Sequence, residues 1–285
     1  MDDSNQIKGR YAKEAETYRK EALLVNFDAK VLFNQLLYVA TKLFPNTNEK
    51  IRVLDIGAGN GMLTELIMNK YSNAEITMLD FSPEMLESAK AYFESQKLNT
   101  KNISYMVSDF ISDDFPTGPF DLIISSYALH HIRTEEDLKL VFKKIVNSLK
   151  ETCGTFICID MYLGVNQQLR NEQVSIAIDI WTHNFDSIER AYEWGDILRK
   201  EDTPATIPTI ISLLLECCDN STPLLTNQSG VIATLYGVTK LSPEKIHALG
   251  LSDYIESCKE YSMLKNISQV EHLIAPLPFP NQKVK

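Results

Sequence analysis

Short apolar runs alternate with amphipathic stretches in the central part of the chain. The runs are rich in Ile, Val and Leu, which is typical of parallel strands buried on both faces of a sheet. They predict strands over residues 52–56, 75–79, 103–107, 121–125 and 155–159. Between them, apolar residues at three- and four-residue spacing predict helices over residues 62–71, 83–96 and 135–149. The alternation predicts an α/β fold with a doubly wound, mostly parallel, Rossmann-like sheet that carries helices on both faces.

Further patterns flank this predicted core. Residues 5–44 have the spacing of one or two amphipathic helices that end before Pro45, and residues 230–238 have the pattern of a late strand. We therefore expect three parts: a helical cap over residues 1–48, a core over residues 49–240 with a helical insertion at about 165–218, and a helical extension with a Pro-rich tail over residues 241–285.

Composition and charge narrow the classes of partner. With 44% hydrophobic and 23% charged residues, the chain has the composition of a globular protein with a large core. Its 28 Lys and Arg against 38 Asp and Glu give a net charge of −10, which disfavours nucleic acid and anionic membranes as partners. The start of the chain lacks the segments of a signal peptide, and the apolar run at 207–215 is too short to cross a bilayer. We therefore expect a cytoplasmic protein.

The cysteines give no sign of a metal site. There are five of them, an odd number, and their spacing is not that of a zinc site. We expect reduced thiols and no bound metal.

A glycine-rich turn follows the first predicted strand. Gly57, Gly59 and Gly61 stand between that strand and a predicted helix. Glycines there permit positive φ angles and let backbone N–H groups approach a ligand at the positive end of the helix dipole. The spacing is G-x-G-x-G and departs from the dinucleotide fingerprint G-x-G-x-x-G, because residue 62 is Met. A turn kept only for packing is the alternative.

Acidic and aromatic residues follow the next two strands. The carboxyl ends of parallel strands meet at one edge of a sheet, where ligands bind. Asp80 is placed to accept hydrogen bonds from both hydroxyls of a ribose, although a helix-capping acid is the alternative. Asp109 and Phe110 are suited to accept the exocyclic amine of a base and to stack on its face. Together these residues predict a nucleoside site beside the glycine turn.

The motifs VLDIGAGNG, MLDFSPEML, VSDF and FDLIISSYALHHI occur in this order along the chain. In this order they resemble the class I S-adenosylmethionine (SAM) dependent methyltransferases, specifically the small-molecule type with an N-terminal helical cap. The resemblance covers about residues 11–240, and the chain departs from the family in lacking its usual Ala-Gly-Phe after Cys218. It implies SAM as the cofactor, bound by Asp55, Gly57, Ala58, Gly59, Gly61, Asp80, Phe81, Met85, Asp109, Phe110 and Ser125.

The methyl acceptor is expected to be a small molecule. Transfer from a sulfonium chiefly needs orientation and desolvation, so a base is optional. The loop after the fourth strand lacks the Asn/Asp-Pro-Pro-Tyr of enzymes that methylate bases, which again disfavours nucleic acid. Residues 5–44 and 165–218 are expected to close over the acceptor as a lid. The candidate bases are Tyr127, His130 and His131, and the candidate acceptor contacts are Tyr11, Tyr18, Trp181 and Tyr192, all of which have a purely structural role as the alternative.

Two other functions and one assembly state stay open at this point. A SAM-binding regulator or adaptor without catalysis would keep the glycine turn and Asp80. An NAD-dependent oxidoreductase would share the sheet and the ribose acid, but Met62 and the Asp109-Phe110 pair disfavour it. A homodimer is compatible with the sequence.

Overall fold

The computed structural model describes residues 18–200, 204–218, 221–226 and 233–240. Within these ranges the strands are β1 (Arg52–Ile56), β2 (Glu75–Asp80), β3 (Ile103–Val107), β4 (Leu122–Ser126), β5 (Thr155–Met161), β6 (Ser221–Thr226) and β7 (Ala233–Lys240). They form one sheet in the order β3-β2-β1-β4-β5-β7-β6. Strands β1 to β5 are parallel, whereas β7 runs antiparallel to both of its neighbours. The predicted fold class is therefore confirmed.

Eight α-helices lie in the described residues. They are α1 (Tyr18–Val25), α2 (Ala29–Leu43), α3 (Met62–Lys70), α4 (Pro83–Ser95), α5 (Glu135–Ser148), α6 (Gln167–Asn184), α7 (Ile188–Lys200) and α8 (Ile207–Cys217). A short 3-10 helix follows β4 over Leu129–His131. None of the helices in the described ranges combines the length and the apolar character needed to cross a bilayer.

The predicted limits of the central strands and helices agree with the structure more closely than those of the flanking elements. The five central strands and three central helices end within two residues of their predicted limits. Ser82 caps α4, since its hydroxyl accepts a hydrogen bond from the Met85 N–H. The predicted insertion consists of α6, α7 and α8, and β6 was not predicted. The predicted Tyr11 contact and the extension over 241–285 lie outside the described residues.

Alternating side chains of the sheet divide the core into two layers. Val53 packs in one apolar cluster and Leu54 in the other, as expected for a strand covered on both faces. Helices α2, α3, α4 and α6 supply the first cluster, and α5 and α8 supply the second. The helices that precede β1 therefore lie on the same side as α3, the helix that follows the glycine turn.

A buried indole joins the insertion to the N-terminal helices. The Nε1–H of Trp181, on α6, donates a 2.8 Å hydrogen bond to the carbonyl of Val25 at the end of α1. Trp181 is only 1% exposed, so this contact is shielded from water. Helix α6 thus supports the end of α1 from behind.

Candidate active site

The glycine turn combines two tightly packed positions with one less crowded position at the cavity. All three glycines have positive φ angles, 65° at Gly57, 52° at Gly59 and 77° at Gly61. A Cβ at Gly57 would lie 2.3 Å from the Cβ of Ala128, and one at Gly61 would lie 2.4 Å from the ring of Phe93. At Gly59 the nearest atom would be the flexible end of Met85, at 3.2 Å. Gly57 and Gly61 therefore serve packing as well as backbone conformation, whereas a Cβ at Gly59 would meet only the flexible end of a cavity-lining side chain.

A cavity lies between this turn, the carboxyl ends of the central strands and the N-terminal helices. Its volume is about 740 Å³, including the part open to solvent. Its lining residues are Ala22, Asn26, Ala29, Phe33, Gly57, Ala58, Gly59, Asn60, Met62, Leu63, Asp80, Phe81, Met85, Phe110, Ser126, Tyr127, Ala128 and His131.

Asp80 lies at the end of β2 and lines the cavity while being only 6% exposed. Its Oδ2 accepts a hydrogen bond from the Gly59 N–H at 2.8 Å, and its Oδ1 accepts one from the Ser82 N–H at 2.9 Å. Burial raises the pKa of Asp80 to about 6, although these two bonds favour the charged form. Each carboxylate oxygen has a second lone pair, so Asp80 can accept further hydrogen bonds from a ligand.

Asp55 lies behind the turn and does not line the cavity. Its Oδ2 accepts a 2.5 Å hydrogen bond from the Thr64 hydroxyl on α3, whereas its Oδ1 is buried without a partner among the described residues. Burial raises the pKa of Asp55 to about 7, and the charge of Asp80 adds to this. Asp55 therefore ties β1 to α3 and supports the turn between them.

Three of the residues predicted to contact the cofactor line the cavity beyond Asp80, and two others do not line it. Phe81, Met85 and Phe110 line the wall beyond Asp80. Asp109 turns to its own loop, where its Oδ1 accepts a 2.9 Å hydrogen bond from the Ile111 N–H. Ser125 is fully buried and donates to the Ile56 carbonyl at 2.8 Å, so its neighbour Ser126 lines the cavity instead.

The loop after β4 carries the three candidate bases. Tyr127 has a φ of 51°, which is unusual for a residue with a side chain, and its hydroxyl is buried without a partner among the described residues. Burial holds the pKa of that hydroxyl well above its usual value. His130 lies behind the cavity wall, with its Nδ1 2.6 Å from an Asp160 carboxylate oxygen. His131 lines the cavity, and its ring centroid is 4.0 Å from that of His130.

The predicted acceptor contacts are not brought to the cavity where the structure describes them. Trp181 lies in the core, and Tyr192 is 55% exposed on α7. Tyr18 belongs to α1, but its side chain is outside the described part of the chain, and so is all of Tyr11. The wall is built instead by four residues of α1, α2 and the turn between them: Ala22, Asn26, Ala29 and Phe33. The amphipathic spacing of residues 5–44 was the signal available for them, but it does not say which face meets the sheet.

These features fit the cofactor that the sequence resemblance implies. SAM is cationic, and Asp80 supplies a carboxylate at the wall. Gly59 lines the cavity and has no side chain, so a ligand can approach the backbone there. The amide nitrogen of the neighbouring Asn60, which is only 3% exposed, is a donor without a partner among the described residues. Buried polar atoms of this kind are normally satisfied by a polar partner.

Comparison with protein families and curated proteins gives consistent matches. The family described as "Methyltransferase domain" matches residues 53–152. The malonyl-[acyl-carrier protein] O-methyltransferase 2 of Ilyobacter polytropus is 28% identical over 193 residues, which are 66% of this chain and 67% of that protein. The malonyl-[acyl-carrier protein] O-methyltransferase of Priestia megaterium is 32% identical over 165 residues, which are 58% of this chain and 54% of that protein. The chain thus spans about half to two thirds of the length of these relatives.

Solved structures share the fold at low sequence identity. The magnesium protoporphyrin IX methyltransferase of Synechocystis PCC 6803, solved with bound SAM, is similar with a TM-score of 0.57 and 13% identity. The match covers 84% of this chain and 98% of that one. The carbon methyltransferase CurJ is similar with a TM-score of 0.55 and 18% identity, over 79% of this chain and 58% of that one.

Proposed function

Because the core of this chain is a class I SAM-dependent methyltransferase domain, we propose that the protein transfers a methyl group from SAM to a small-molecule acceptor. The single observation that carries the proposal is the cavity where the glycine turn, Asp80 and the end of β4 meet the N-terminal helices. One wall of it has the groups that suit SAM, and the opposite wall is formed by Ala22, Asn26, Ala29 and Phe33 of the N-terminal helices. The net charge of −10 and the enclosing helices favour a small molecule over a nucleic acid as that second ligand.

The core wall is assigned to the cofactor. Asp80 accepts the ribose hydroxyls, and Phe81, Met85 and Phe110 contact the adenine. The glycine turn and Asn60 hold the methionine end, with Asp55 fixing the turn from behind through Thr64. SAM supplies an activated methyl group that a nucleophile can take by in-line displacement.

The loop after β4 is assigned to the acceptor. His131 lines the cavity and is the proposed catalytic base, which takes a proton from the acceptor as its lone pair forms the new bond. His130 and Asp160 are positioning residues behind it, since they form a buried pair against which the His131 ring packs. Tyr127 keeps its proton because of its burial, so it acts as a hydrogen-bonding group and not as a base.

Calorimetry with S-adenosylhomocysteine (SAH), followed by product detection with SAM and a panel of acceptors, tests the proposal. We expect SAH to bind with micromolar affinity and a methylated product to form from at least one acceptor. Failure of SAH to bind would overturn the assignment of the core wall. Binding of SAH without turnover on any acceptor would instead favour a SAM-binding regulator.

The proposed role of His131 as the base can be tested in the same assay. His131→Ala is expected to lower kcat by about 100-fold without changing SAH affinity, because removal of a general base typically costs 10²–10⁴ in rate. His183→Ala is the matched control, since His183 is an exposed histidine at the end of α6. Equal activity of the two variants would remove His131 from the mechanism.

A further inference from the structure

We propose that Asn26 and Tyr127 form the subsite that recognises the acceptor, and that this acceptor presents an O–H or N–H group and not a carboxylate. The inference rests on the proposed function, because it names the substrate class of the same cavity. The inference also goes beyond the proposed function, since Asn26 is not among the residues that the sequence motifs indicate.

Both residues line the cavity, and each carries a buried polar atom. Asn26 follows α1 directly and is 7% exposed, while Tyr127 follows β4 and is 8% exposed. The Oδ1 of Asn26 and the hydroxyl of Tyr127 have no hydrogen-bond partner among the described residues. Leaving such an atom unsatisfied costs about 1–3 kcal/mol, so each is expected to find a partner in the complex. The carbonyl oxygen of Asn26 can only accept, which selects a ligand that donates.

The charges around this subsite also favour an O–H or N–H acceptor over a carboxylate. The carboxylates of Asp28 and Asp160 lie close enough to the Tyr127 hydroxyl to raise its pKa beyond the effect of burial. The cavity-lining residues that the structure describes include no Lys or Arg. A carboxylate acceptor would therefore meet negative charge without a Lys or Arg side chain among these lining residues to compensate it. An O–H or N–H acceptor would meet two hydrogen-bonding atoms.

The histidines beside the subsite suit a protonated nucleophile. A carboxylate is already ionised near neutral pH and needs no base, whereas an alcohol, phenol or ammonium group must lose a proton before it attacks. That proton passes to His131, the acceptor's lone pair forms the bond to the methyl carbon, and the electrons of the broken carbon–sulfur bond remain on sulfur. The apolar side chains of Ala29 and Phe33 line the same cavity and suit an apolar body on the acceptor.

The acceptor class separates this chain from the proteins it resembles in sequence. The relatives from Ilyobacter polytropus and Priestia megaterium are named for the O-methylation of a malonyl group on a carrier protein. Identity to them is 28% and 32%, which leaves room for a different acceptor on a shared core.

Three probes that share one apolar body test the inference. The complex of the full chain with SAH is titrated by calorimetry with 4-methylphenol, 4-methylbenzylamine and 4-methylbenzoate. We expect the phenol or the amine to bind at least about tenfold more tightly than the benzoate, as one hydrogen bond to a buried group is worth about a factor of ten. The difference between the first two probes shows whether oxygen or nitrogen is preferred.

Two substitutions test whether Asn26 and Tyr127 cause the preference among the probes. Asn26→Leu and Tyr127→Phe are each expected to weaken the better probe about tenfold while SAH affinity stays within about twofold. The matched controls are Asn34→Leu and Tyr38→Phe, because both residues are exposed on α2. Tighter binding of the benzoate, or binding of none of the probes to the SAH complex, would overturn the inference. Loss of SAH binding by the unmodified chain would instead refute the proposed function.

Discussion

The two walls of the cavity are held in place by different kinds of contact. On the core wall, backbone hydrogen bonds and close packing fix the glycine turn, and the bonds from Gly59 and Ser82 to Asp80 are examples. The cap wall is formed by α1 and α2, and side chains attach it to residues far away in the sequence. Arg19 donates a hydrogen bond to the Asn60 carbonyl, and Trp181 donates one to the Val25 carbonyl. The difference implies that substitutions in the core wall change cofactor binding, whereas those in the cap wall change acceptor binding and closure.

The strongest test of this division is within the glycine turn itself. Gly59→Ala is expected to lower SAH affinity more than about 100-fold, because the new Cβ would crowd the cavity wall beside Met85 where the ligand meets the turn. Its cost in unfolding free energy is expected to be about 1–2 kcal/mol, the typical cost of a positive φ for a residue with a Cβ.

Gly57→Ala provides the matched comparison in the same turn. Its Cβ would lie 2.3 Å from the Ala128 side chain, so the loop after β4 must shift as well. A greater loss of stability than in Gly59→Ala is expected in urea unfolding. If both variants lost equal stability, Gly59 would be a packing residue like Gly57.

The next largest effect is expected from the ribose acid. Asp80→Asn should lower SAH affinity about 30-fold, since two hydrogen bonds to a charged acceptor are weakened. Glu84→Gln is the control, because Glu84 is a nearby exposed residue, and this variant should bind SAH as the unmodified chain does. The pKa of Asp80 is about 6 in the free protein, so SAH affinity should fall as the pH is lowered through 6. A pH-independent affinity between pH 8 and pH 5 would contradict the role of Asp80.

The core wall could be predicted because its signals are local. Strand, glycine turn and helix lie within a few residues of each other, so their spacing already fixes which groups meet at the sheet edge. Asp80 and Phe110 were predicted in this way, because the end of a parallel strand indicates the ligand side of the sheet, and both line the cavity. Asp109 was predicted at the same edge, and the structure directs its carboxylate to the Ile111 N–H of its own loop. Side-chain direction at a strand end depends on the loop that follows, which the pattern does not specify.

The cap wall could not be predicted to the same extent. Periodicity indicated the helices before residue 45, but which face packs on the sheet depends on contacts with distant residues. Asn26 carried no motif, and it reaches the cavity because α1 ends just before it. Aromatic residues were the sequence signal for acceptor contacts, yet Trp181 lies in the core as the support of α1. Large aromatic side chains occur in cores more often than in sites, and this applies here.

The attachment of the cap can be weakened at Arg19. Its guanidinium donates a 2.9 Å hydrogen bond to the Asn60 carbonyl, pairs with Glu65 on α3 and lies over the ring of Tyr92. A lysine lacks the planar set of donors for these contacts. Arg19→Lys is therefore expected to speed amide exchange in α1 about fivefold while exchange in α3 is unchanged.

Arg190→Lys is the matched control for the Arg19 experiment. Arg190 is an arginine of α7 that pairs with Glu193 three residues along the same helix. It should leave exchange in α1 unaltered. Equal acceleration in α1 and α3 would show that Arg19 stabilises the whole domain and not the cap.

A smaller effect on stability is expected at Asp55. Burial raises its pKa from 3.8 to about 7, so the folded protein binds a proton there more tightly than the unfolded chain does. The stability from this proton is present below pH 3.8 and is lost as the pH rises through 7. Asp55→Asn should thus raise the unfolding free energy by about 1–2 kcal/mol at pH 8 and by less at pH 5. Urea unfolding at both pH values measures this, and a loss of stability at pH 8 would contradict it.

The smallest effect is expected where the insertion supports α1. Trp181→Phe removes the N–H that bonds to the Val25 carbonyl and leaves that carbonyl without its partner. Trp194→Phe is a matched control, because the Trp194 Nε1 is buried without a partner among the described residues. Both variants lose the same ring volume, so the difference between them reports the hydrogen bond lost at Trp181 together with the removal of the unpaired Trp194 N–H. Trp181→Phe is expected to lose about 1 kcal/mol more unfolding free energy than Trp194→Phe, with SAH affinity unchanged. An equal loss in the two variants would mean that α6 holds α1 by packing alone.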